Sequence, residues 1–375
     1  MSRTIAIIAG ESSGDLIGGL FVRAVKEKDP SVSFFGIGGE RMREAGVELA
    51  HTTQEMAFLG FVEVVKHLPF VSRVLNEMES LLRARRPGLL VLIDYPGFNL
   101  RLAERAKQLG IPVMYYISPQ VWAWGKGRVR KMHRLVDRMV VAFQFEIEIY
   151  EKEGIPVEFV GHPLLEVVKS RMSRQEFCSQ AGLSPEKPIL GLLPGSRRQE
   201  VEKILPVMVE AARVIREKMP DVQPVVGMAE GLEVRDFPLT GDVPKVKGLT
   251  YDLMASSDLV IVASGSATLE TGILGTPMVV IYKTSFLSYQ IAKKVVTIPN
   301  IALINVVAGK RLVPEFVQDQ AKPDRIARAA LSLLNNIHER ERINQELKQA
   351  ISSLGPPGAS AKAAEIALSM MNATS

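Results

Sequence analysis

Three polar turns, each closing an apolar run, hold the residues of this chain whose types and spacing suit chemistry. The first is Pro194-Gly195-Ser196-Arg197, directly after the run Ile189–Leu193. A buried strand broken by proline and glycine, with Ser196 offering an oxygen where a helix can begin, presents backbone N–H groups and a positive dipole end to an anion. Arg197 adds a fork of donors suited to phosphate oxygens. An ordinary strand-to-helix turn with a surface arginine has the same spacing. The second is Ser264-Gly265-Ser266-Ala267-Thr268-Leu269-Glu270, after the run 260–263. Two such turns on neighbouring strands suit a nucleoside diphosphate, with amides and Arg197 on the phosphates and Glu270 accepting from ribose hydroxyls. Glu270 reads equally as a favourable first-turn acid. The third is Asp94, which closes the run 89–93 and precedes Tyr95-Pro96-Gly97-Phe98-Asn99. A carboxylate at the carboxyl end of a central strand points into the crevice where α/β sheets bind ligands. Asp94 is therefore the candidate general base, the alternative being a cap or turn aspartate.

Other loops line up with these. The run 4–9 ends in Gly10-Glu11-Ser12-Ser13-Gly14-Asp15, a strand, glycine loop and helix start where the first loop of a doubly wound sheet belongs. It is not G-x-G-x-x-G, so a nicotinamide dinucleotide site is not supported. After the run 113–117 comes Ser118-Pro119-Gln120-Val121-Trp122-Ala123-Trp124, which holds both tryptophans of the chain. They read as a rigid platform at a cleft mouth or as core packing. Ser12, Ser13, Gly14, Asp15, Gln120 and Trp122 are the candidate cleft-loop residues. The basic stretch 126–134 places Arg130, Lys131 and Arg134 on one side of a helix, as a solvated face or as an anchor for an anionic group. Residues 56–71 are apolar almost all round, broken only by Glu63, Lys66 and His67. They read as a buried helix between layers or as an apolar surface for acyl chains or a membrane interface. In the second reading Phe58, Leu59, Phe61, Val62, Val65, Leu68 and Phe70 form that surface. Asn305 and Lys310 stand in a mostly apolar loop, 299–310.

The elements that must position these turns alternate between strand and helix patterns, which predicts parallel sheets with helices on both faces. With 375 residues, the chain is too long for one typical core and is expected to form two domains. The first is expected over 1–165 and the second over 166–349, each with βα loops converging on a common cleft. Apolar content of 47% and charged content of 23% are those of a soluble globular protein. The lone Cys178 excludes an internal disulfide framework and suits a reducing compartment. The start, Met1-Ser2-Arg3-Thr4, runs straight into a strand-like segment, so no secretory signal is expected. No apolar run is long enough to span a bilayer. The net charge of +5 hints at anionic partners without choosing among nucleic acid, phosphosugar and lipid. Aromatics are not interleaved with basic residues as in a single-strand binder, so nucleic acid is not expected. There is no D-x-D pair and no clustered His/Cys set, so neither a metal nor another cofactor is expected.

Taken together, residues 10–15, 93–99, 118–124, 159–162, 193–197, 263–270 and 305–310 resemble, in order and from end to end, the lipid-A-disaccharide synthase family of bacterial glycosyltransferases. The resemblance implies a GT-B fold: two Rossmann-like domains, parallel sheets facing an interdomain cleft, and a final helix, within 350–375, that returns to the first domain. It implies an inverting, metal-independent transfer of diacylglucosamine from UDP to 2,3-diacylglucosamine 1-phosphate (lipid X), giving the β-1,6 disaccharide 1-phosphate of lipid A and UDP. By position, Asp94 corresponds to the family's essential carboxylate. Gly195, Ser196 and Arg197, the turn Ser264, Gly265, Ser266, Ala267, Thr268 and Glu270, and Asn305 fall on the UDP side. The family works in lipopolysaccharide synthesis for the Gram-negative outer membrane. The resemblance thus implies a cytoplasmic enzyme peripherally associated with the inner membrane, and it leaves a homodimer open. Two positions depart from the family pattern. Many members have a second aspartate where this chain has Gly97, and Lys310 stands where arginine is usual, which keeps charge but not the fork. Competing readings are another UDP-N-acetylglucosamine enzyme of this fold, a 2-epimerase or a cell-wall glucosaminyltransferase, and a non-catalytic UDP-binding or membrane-surface scaffold.

Overall fold

The computed structural model describes residues 3–56, 68–123, 127–229, 232–233, 241–285, 289–290, 293 and 298–373. The chain divides into two compact units. The first comprises Met1–Glu166, Gln290–Thr297 and Leu354–Ser375, and the second Val167–Tyr289 and Ile298–Ser353.

The first unit is built on seven parallel strands: β1 (Thr4–Ala9), β2 (Ser33–Gly38), β3 (Val47–Thr52), β4 (Leu89–Ile93), β5 (Val113–Tyr116), β6 (Arg138–Val141) and β7 (Val157–Phe159). Their order in the sheet is β3-β2-β1-β4-β5-β6-β7. β1 and β4 are buried along nearly their whole length, as near-continuous Ile, Leu and Val runs require when helices cover both faces. Alternate side chains go to two cores. Ala6, Ile8, Leu90 and Leu92 pack with the Leu68–Arg85 and Pro96–Gln108 helices. Ile5, Ile7, Val91 and Ile93 pack on the opposite face with the Ser12–Lys28 helix. That second core also takes the last helix, Ala359–Ala373, through its small residues Ala363, Ala364 and Ala367. The C-terminus therefore returns to the first unit.

The second unit repeats the plan with six parallel strands: β8 (Ile189–Leu193), β9 (Gln223–Met228), β10 (Lys245–Lys247), β11 (Leu259–Ala263), β12 (Met278–Tyr282) and β13 (Glu315–Val317). They are ordered β10-β9-β8-β11-β12-β13. In each unit the order turns back beside the first strand, between β1 and β4 and between β8 and β11. At such switch points the loops leaving the carboxyl ends diverge, and open sheets bind ligands there. Among the described residues no helix is long and apolar enough to cross a membrane.

Candidate active site

In the first unit the switch point brings two of the expected loops together. Ala9, the last residue of β1, is the register partner of Ile93, the last of β4, so Gly10 and Asp94 leave the sheet side by side. The ring of Tyr95 occupies the space a side chain at position 10 would need. Asp94 and Tyr95 both adopt left-handed backbone conformations, with φ of 42° and 47°, and Ile117 at the end of β5 has φ of 62°. Non-glycine residues in such conformations cost on the order of 1–3 kcal/mol each and persist only where the surroundings over-determine them. Here they do. The Asp94 N–H donates to the Ile117 carbonyl at 3.1 Å. Asn99 Nδ2 donates to the carbonyls of Ile93 at 3.1 Å and Asp94 at 2.7 Å. The Tyr115 hydroxyl donates to the Asp94 carbonyl at 2.5 Å, and the Tyr95 hydroxyl to Met56 O at 3.1 Å. Burial, reinforced by the Asp94 charge, pushes the Tyr115 hydroxyl well above the usual tyrosine range, so it stays a donor. Asp94 itself is half-buried.

The segment after β5 carries Gln120, which is exposed, and Trp122, which is half-buried. Trp122 Nε1 donates to Glu146 Oε1 at 3.3 Å, and its ring meets Phe145 edge-on with centroids 5.7 Å apart. Glu146, only 1% exposed, also accepts from the Phe143 N–H at 3.3 Å. Burial pushes its carboxyl up to about 8, against hydrogen bonds from Ser118, Phe143 and Trp122 that lower it, while the Asp94 charge adds to the rise. Glu146 is not singled out by the sequence, where Glu148, Glu151 and Glu153 follow it closely. His162 is likewise buried, its pKa lowered to about 3 by burial, and its Nδ1 accepts from the Leu164 N–H.

The first loop is corrected in one respect. Ser12 is exposed, Ser13 half-buried and Gly14 buried, at the start of the Ser12–Lys28 helix. Asp15 is 6% exposed, and its carboxylate accepts from the N–H groups of Gly39, Arg41 and Met42 at 2.6, 3.1 and 3.0 Å. It anchors the start of the Glu40–Glu44 helix, where a carboxylate also suits the dipole, and is not a cleft-loop side chain.

In the second unit the two glycine turns meet as expected. Leu193 of β8 pairs with Val262 of β11, so the turns at 194–197 and 264–266 leave neighbouring strands at the switch point. Gly195 has φ of 113°, and a Cβ there would lie 2.8 Å from Glu200 Oε2. The helix Arg198–Lys218 begins one residue later than Ser196 was expected to start it: Arg197 is its N-cap, with no side-chain cap bond, and Ser196 stands exposed before it. Arg197 Nη1 is 3.2 Å from Glu200 Oε1 within the first turn. Tyr282, at the end of β12, feels the charges of both, a neighbour not anticipated from sequence.

The second turn divides between backbone and side-chain tasks. Gly265, with φ of 153°, is the N-cap of the Ser266–Ile273 helix and has no side chain to cap it. The Ser264 hydroxyl donates to Ile301 O at 3.0 Å, and the buried Thr268 hydroxyl to Gly265 O at 2.9 Å. These two hydroxyls brace the turn instead of facing a ligand. Ala267 is half-buried. Burial raises the Glu270 carboxyl, and a hydrogen bond from Ser266 opposes the rise.

Asn305 is the clearest correction. It is fully buried; its Oδ1 accepts from the N–H groups of Leu312 at 2.8 Å and Val313 at 2.9 Å. Its Nδ2 donates to Val313 O at 2.9 Å and to Glu315 Oε1 at 2.7 Å. An amide side chain has no more to give. Glu315, 5% exposed, also accepts from the N–H groups of Ile301 and Ala302, each at 3.0 Å. Asn305 therefore builds the loop, part of which is the Leu303–Val307 helix, and does not reach out to a nucleotide. Lys310 pairs with Glu346 at 2.8 Å.

Of the expected acyl surface, Phe58, Leu59, Phe61, Val62 and Val65 lie outside the described residues, as do Trp124 and Lys126. Leu68 is 42% exposed. Phe70 is half-buried, its ring flanked by His51 and Arg73. A side chain at Gly97 would stand in open space.

Comparisons with known proteins bear on this geometry. Residues 5–370 match the family described as lipid-A-disaccharide synthetase. The chain is 45% identical to the lipid-A-disaccharide synthase of Geobacter sulfurreducens over 99% of its own length and 98% of that protein's. It is 45% identical to the enzyme of the same name from Syntrophus aciditrophicus, with the same coverage. In structure it is similar to the UDP-GlcNAc 2-epimerase from Neisseria meningitidis bound to UDP-GlcNAc, with a TM-score of 0.66 at 13% identity, covering 98% of this chain and 99% of that one. It is also similar to the calicheamicin glycosyltransferase CalG4, with a TM-score of 0.61 at 14% identity over 100% of both chains. These likenesses give the two-domain, parallel-sheet fold of such enzymes.

Proposed function

The chain belongs to the lipid-A-disaccharide synthetase family, and from that premise we propose how its residues share the transfer. The enzyme joins UDP-2,3-diacylglucosamine to 2,3-diacylglucosamine 1-phosphate, forming the β-1,6-linked disaccharide 1-phosphate and UDP. The 6-oxygen of the acceptor bonds to the donor C1 from the face opposite UDP. The C1–O bond breaks, and UDP leaves with the electron pair. Asp94 takes the proton from the 6-hydroxyl as general base, a task worth about 10²–10⁴ in rate. Arg197 and the uncapped starts of the Arg198–Lys218 and Ser266–Ile273 helices stabilise the charge that develops on the diphosphate. Glu270, braced by Ser266, accepts from the ribose.

The observation that carries this reading is the placement of Asp94. It stands on a strained turn at the switch point of the first sheet, where its backbone is pinned from three sides. Family membership disfavours the 2-epimerase and scaffold alternatives. Because both substrates are acylated, we assign the apolar segment 56–71 to the acyl and membrane-facing side, with peripheral attachment to the inner membrane. The test is to incubate the purified protein with the acylated UDP-glucosamine and lipid X, without added metal, and assay UDP and disaccharide. Equal turnover of unacylated UDP-N-acetylglucosamine would argue against the reading.

A further inference from the structure

We propose that Tyr115 and Asn99 are positioning residues for the transfer: through two hydrogen bonds to one carbonyl oxygen, that of Asp94, they hold the base-bearing turn in the left-handed form the reaction uses. The inference rests on Asp94 being the base.

The turn has no regular ladder to keep it in place. β4 ends at Ile93, and from there the backbone swings through two successive left-handed residues, Asp94 and Tyr95, before the Pro96–Gln108 helix begins. Neither residue is glycine, and Tyr95 gains nothing from the local hydrogen bonding that makes the conformation tolerable for aspartate. Released, the turn relaxes, and the carboxyl group moves with the backbone that carries it. Near-attack geometry tolerates little of this: a displacement of about 1 Å can cost about 10²-fold in rate.

Each restraint comes from a side chain fully buried for the purpose. Asn99 is 0% exposed and spends both hydrogens of its amide on the turn, one on Ile93 O and one on Asp94 O. Its Oδ1 is buried with no hydrogen-bond partner, so the residue is kept for its donors. Tyr115 is 0% exposed, and its hydroxyl reaches sideways from β5 to the same carbonyl. Tyr115 also belongs to the core beneath the sheet, so its ring is fixed by packing and only its oxygen serves the turn. Ile117, two residues on, completes the brace by accepting from the Asp94 N–H at the expense of its own left-handed backbone. A purely structural turn would be satisfied more cheaply by glycine at 94 or 95. A strained non-glycine pair braced by two buried donors is the arrangement expected where the side chain at 94 must be aimed.

Tyr115→Phe removes one oxygen and leaves the ring packing intact. It is expected to lower kcat about tenfold while leaving the KM of both substrates and the UDP dissociation constant within twofold of the parent. Asn99→Ala, which removes both amide bonds, is expected to lower kcat about 10²-fold with UDP affinity again unchanged. Measuring Asp94→Ala alongside separates the two levels of the account. If Asp94→Ala retains turnover, the base assignment falls and this inference with it. If Asp94→Ala abolishes turnover while Tyr115→Phe, folded and binding UDP, keeps kcat within twofold, the positioning role alone is overturned. A kcat loss in Tyr115→Phe matched by an equal loss of UDP affinity would also overturn it, as general damage and not a misaimed base.

Discussion

The ring of Tyr95 lies across Gly10 so closely that a Cβ at position 10 would come within 2.3 Å of its Cγ. The contact locks the loop after β1 to the loop after β4, with Asp94 as the residue between strand and ring. Gly10→Ala must therefore displace the Tyr95 ring and pull its hydroxyl from Met56 O. The atoms in the way are the near edge of the ring, so the whole ring must swing; we expect this variant to lose stability, and, where folded, to lose at least tenfold in kcat while binding UDP as before. Steady-state kinetics with a UDP-binding titration checks both halves.

On the donor side the prediction is the mirror image. Arg197→Ala removes the fork beside the Gly195 turn, and a charged hydrogen bond to phosphate is worth about 1.5–3 kcal/mol. UDP affinity should fall about 10- to 150-fold. The same substitution removes the positive charge 3.2 Å from Glu200, so the Glu200 carboxylate adds repulsion to the loss. Calorimetric titration of UDP into the variant provides the test, and an unchanged affinity would remove Arg197 from the site.

Glu146 makes stability depend on pH in a direction that can be stated. Its folded-state pKa is raised from 4.5 to about 8, chiefly by burial. The neutral form is thus favoured by folding: its stabilisation is complete below about 4.5, is lost as pH climbs from there to about 8, and stays lost above. Glu146→Gln keeps the shape and cannot ionise, and its single amide oxygen can accept from only one of the two donors, Trp122 Nε1 or the Phe143 N–H. The melting temperature of the parent should fall relative to this variant as pH rises from 4.5 to 8, by a free energy on the order of a few kcal/mol. Parallel melting curves across that range check it.

Asn305 is a loop builder and not the nucleotide contact that its position suggests. Asn305→Ala strands two buried N–H groups and takes a donor from Glu315. The expected cost is about 2–4 kcal/mol of stability. Thermal denaturation measures it, and a variant as stable as the parent would restore the direct role.

Gly97 stands where the family resemblance leads to the expectation of an aspartate. It is the second residue of the Pro96–Gln108 helix, exposed, with nothing near a Cβ. Aspartate there suits the helix dipole and removes a glycine from the helix, so Gly97→Asp should stabilise by about 0.5–1.5 kcal/mol. Chemical denaturation measures this, and turnover of the same variant reads whether a second carboxylate adds to Asp94.

The sequence was legible where physics acts locally. Apolar runs such as Ile189–Leu193 and Leu89–Ile93 are central strands because burial on both faces demands continuous apolar residues, and the turns that end them carry the glycines. Three of the four edge strands escaped. Val47–Thr52, Lys245–Lys247 and Glu315–Val317 are short or polar because one side faces outward, and each lies at the margin of its sheet. The places of Asp94, Gly195 and Arg197, in turns directly after central strands, were readable. The roles of Asp15, Asn305 and Glu146 were not. A buried polar side chain is defined by partners distant in sequence, as Asp15 is by the amides of 39, 41 and 42. Spacing along the chain holds no trace of them.

The central claim is that Asp94 removes the proton from the acceptor while the second unit holds UDP. The measurement that tests it most directly compares Asp94→Ala with the parent in two assays on the same preparation: disaccharide formation from the acylated donor and lipid X, and the dissociation constant of UDP. The account predicts turnover lowered by about 10²–10⁴ with UDP binding unchanged within twofold. Turnover within tenfold of the parent, at any acceptor concentration, would contradict it.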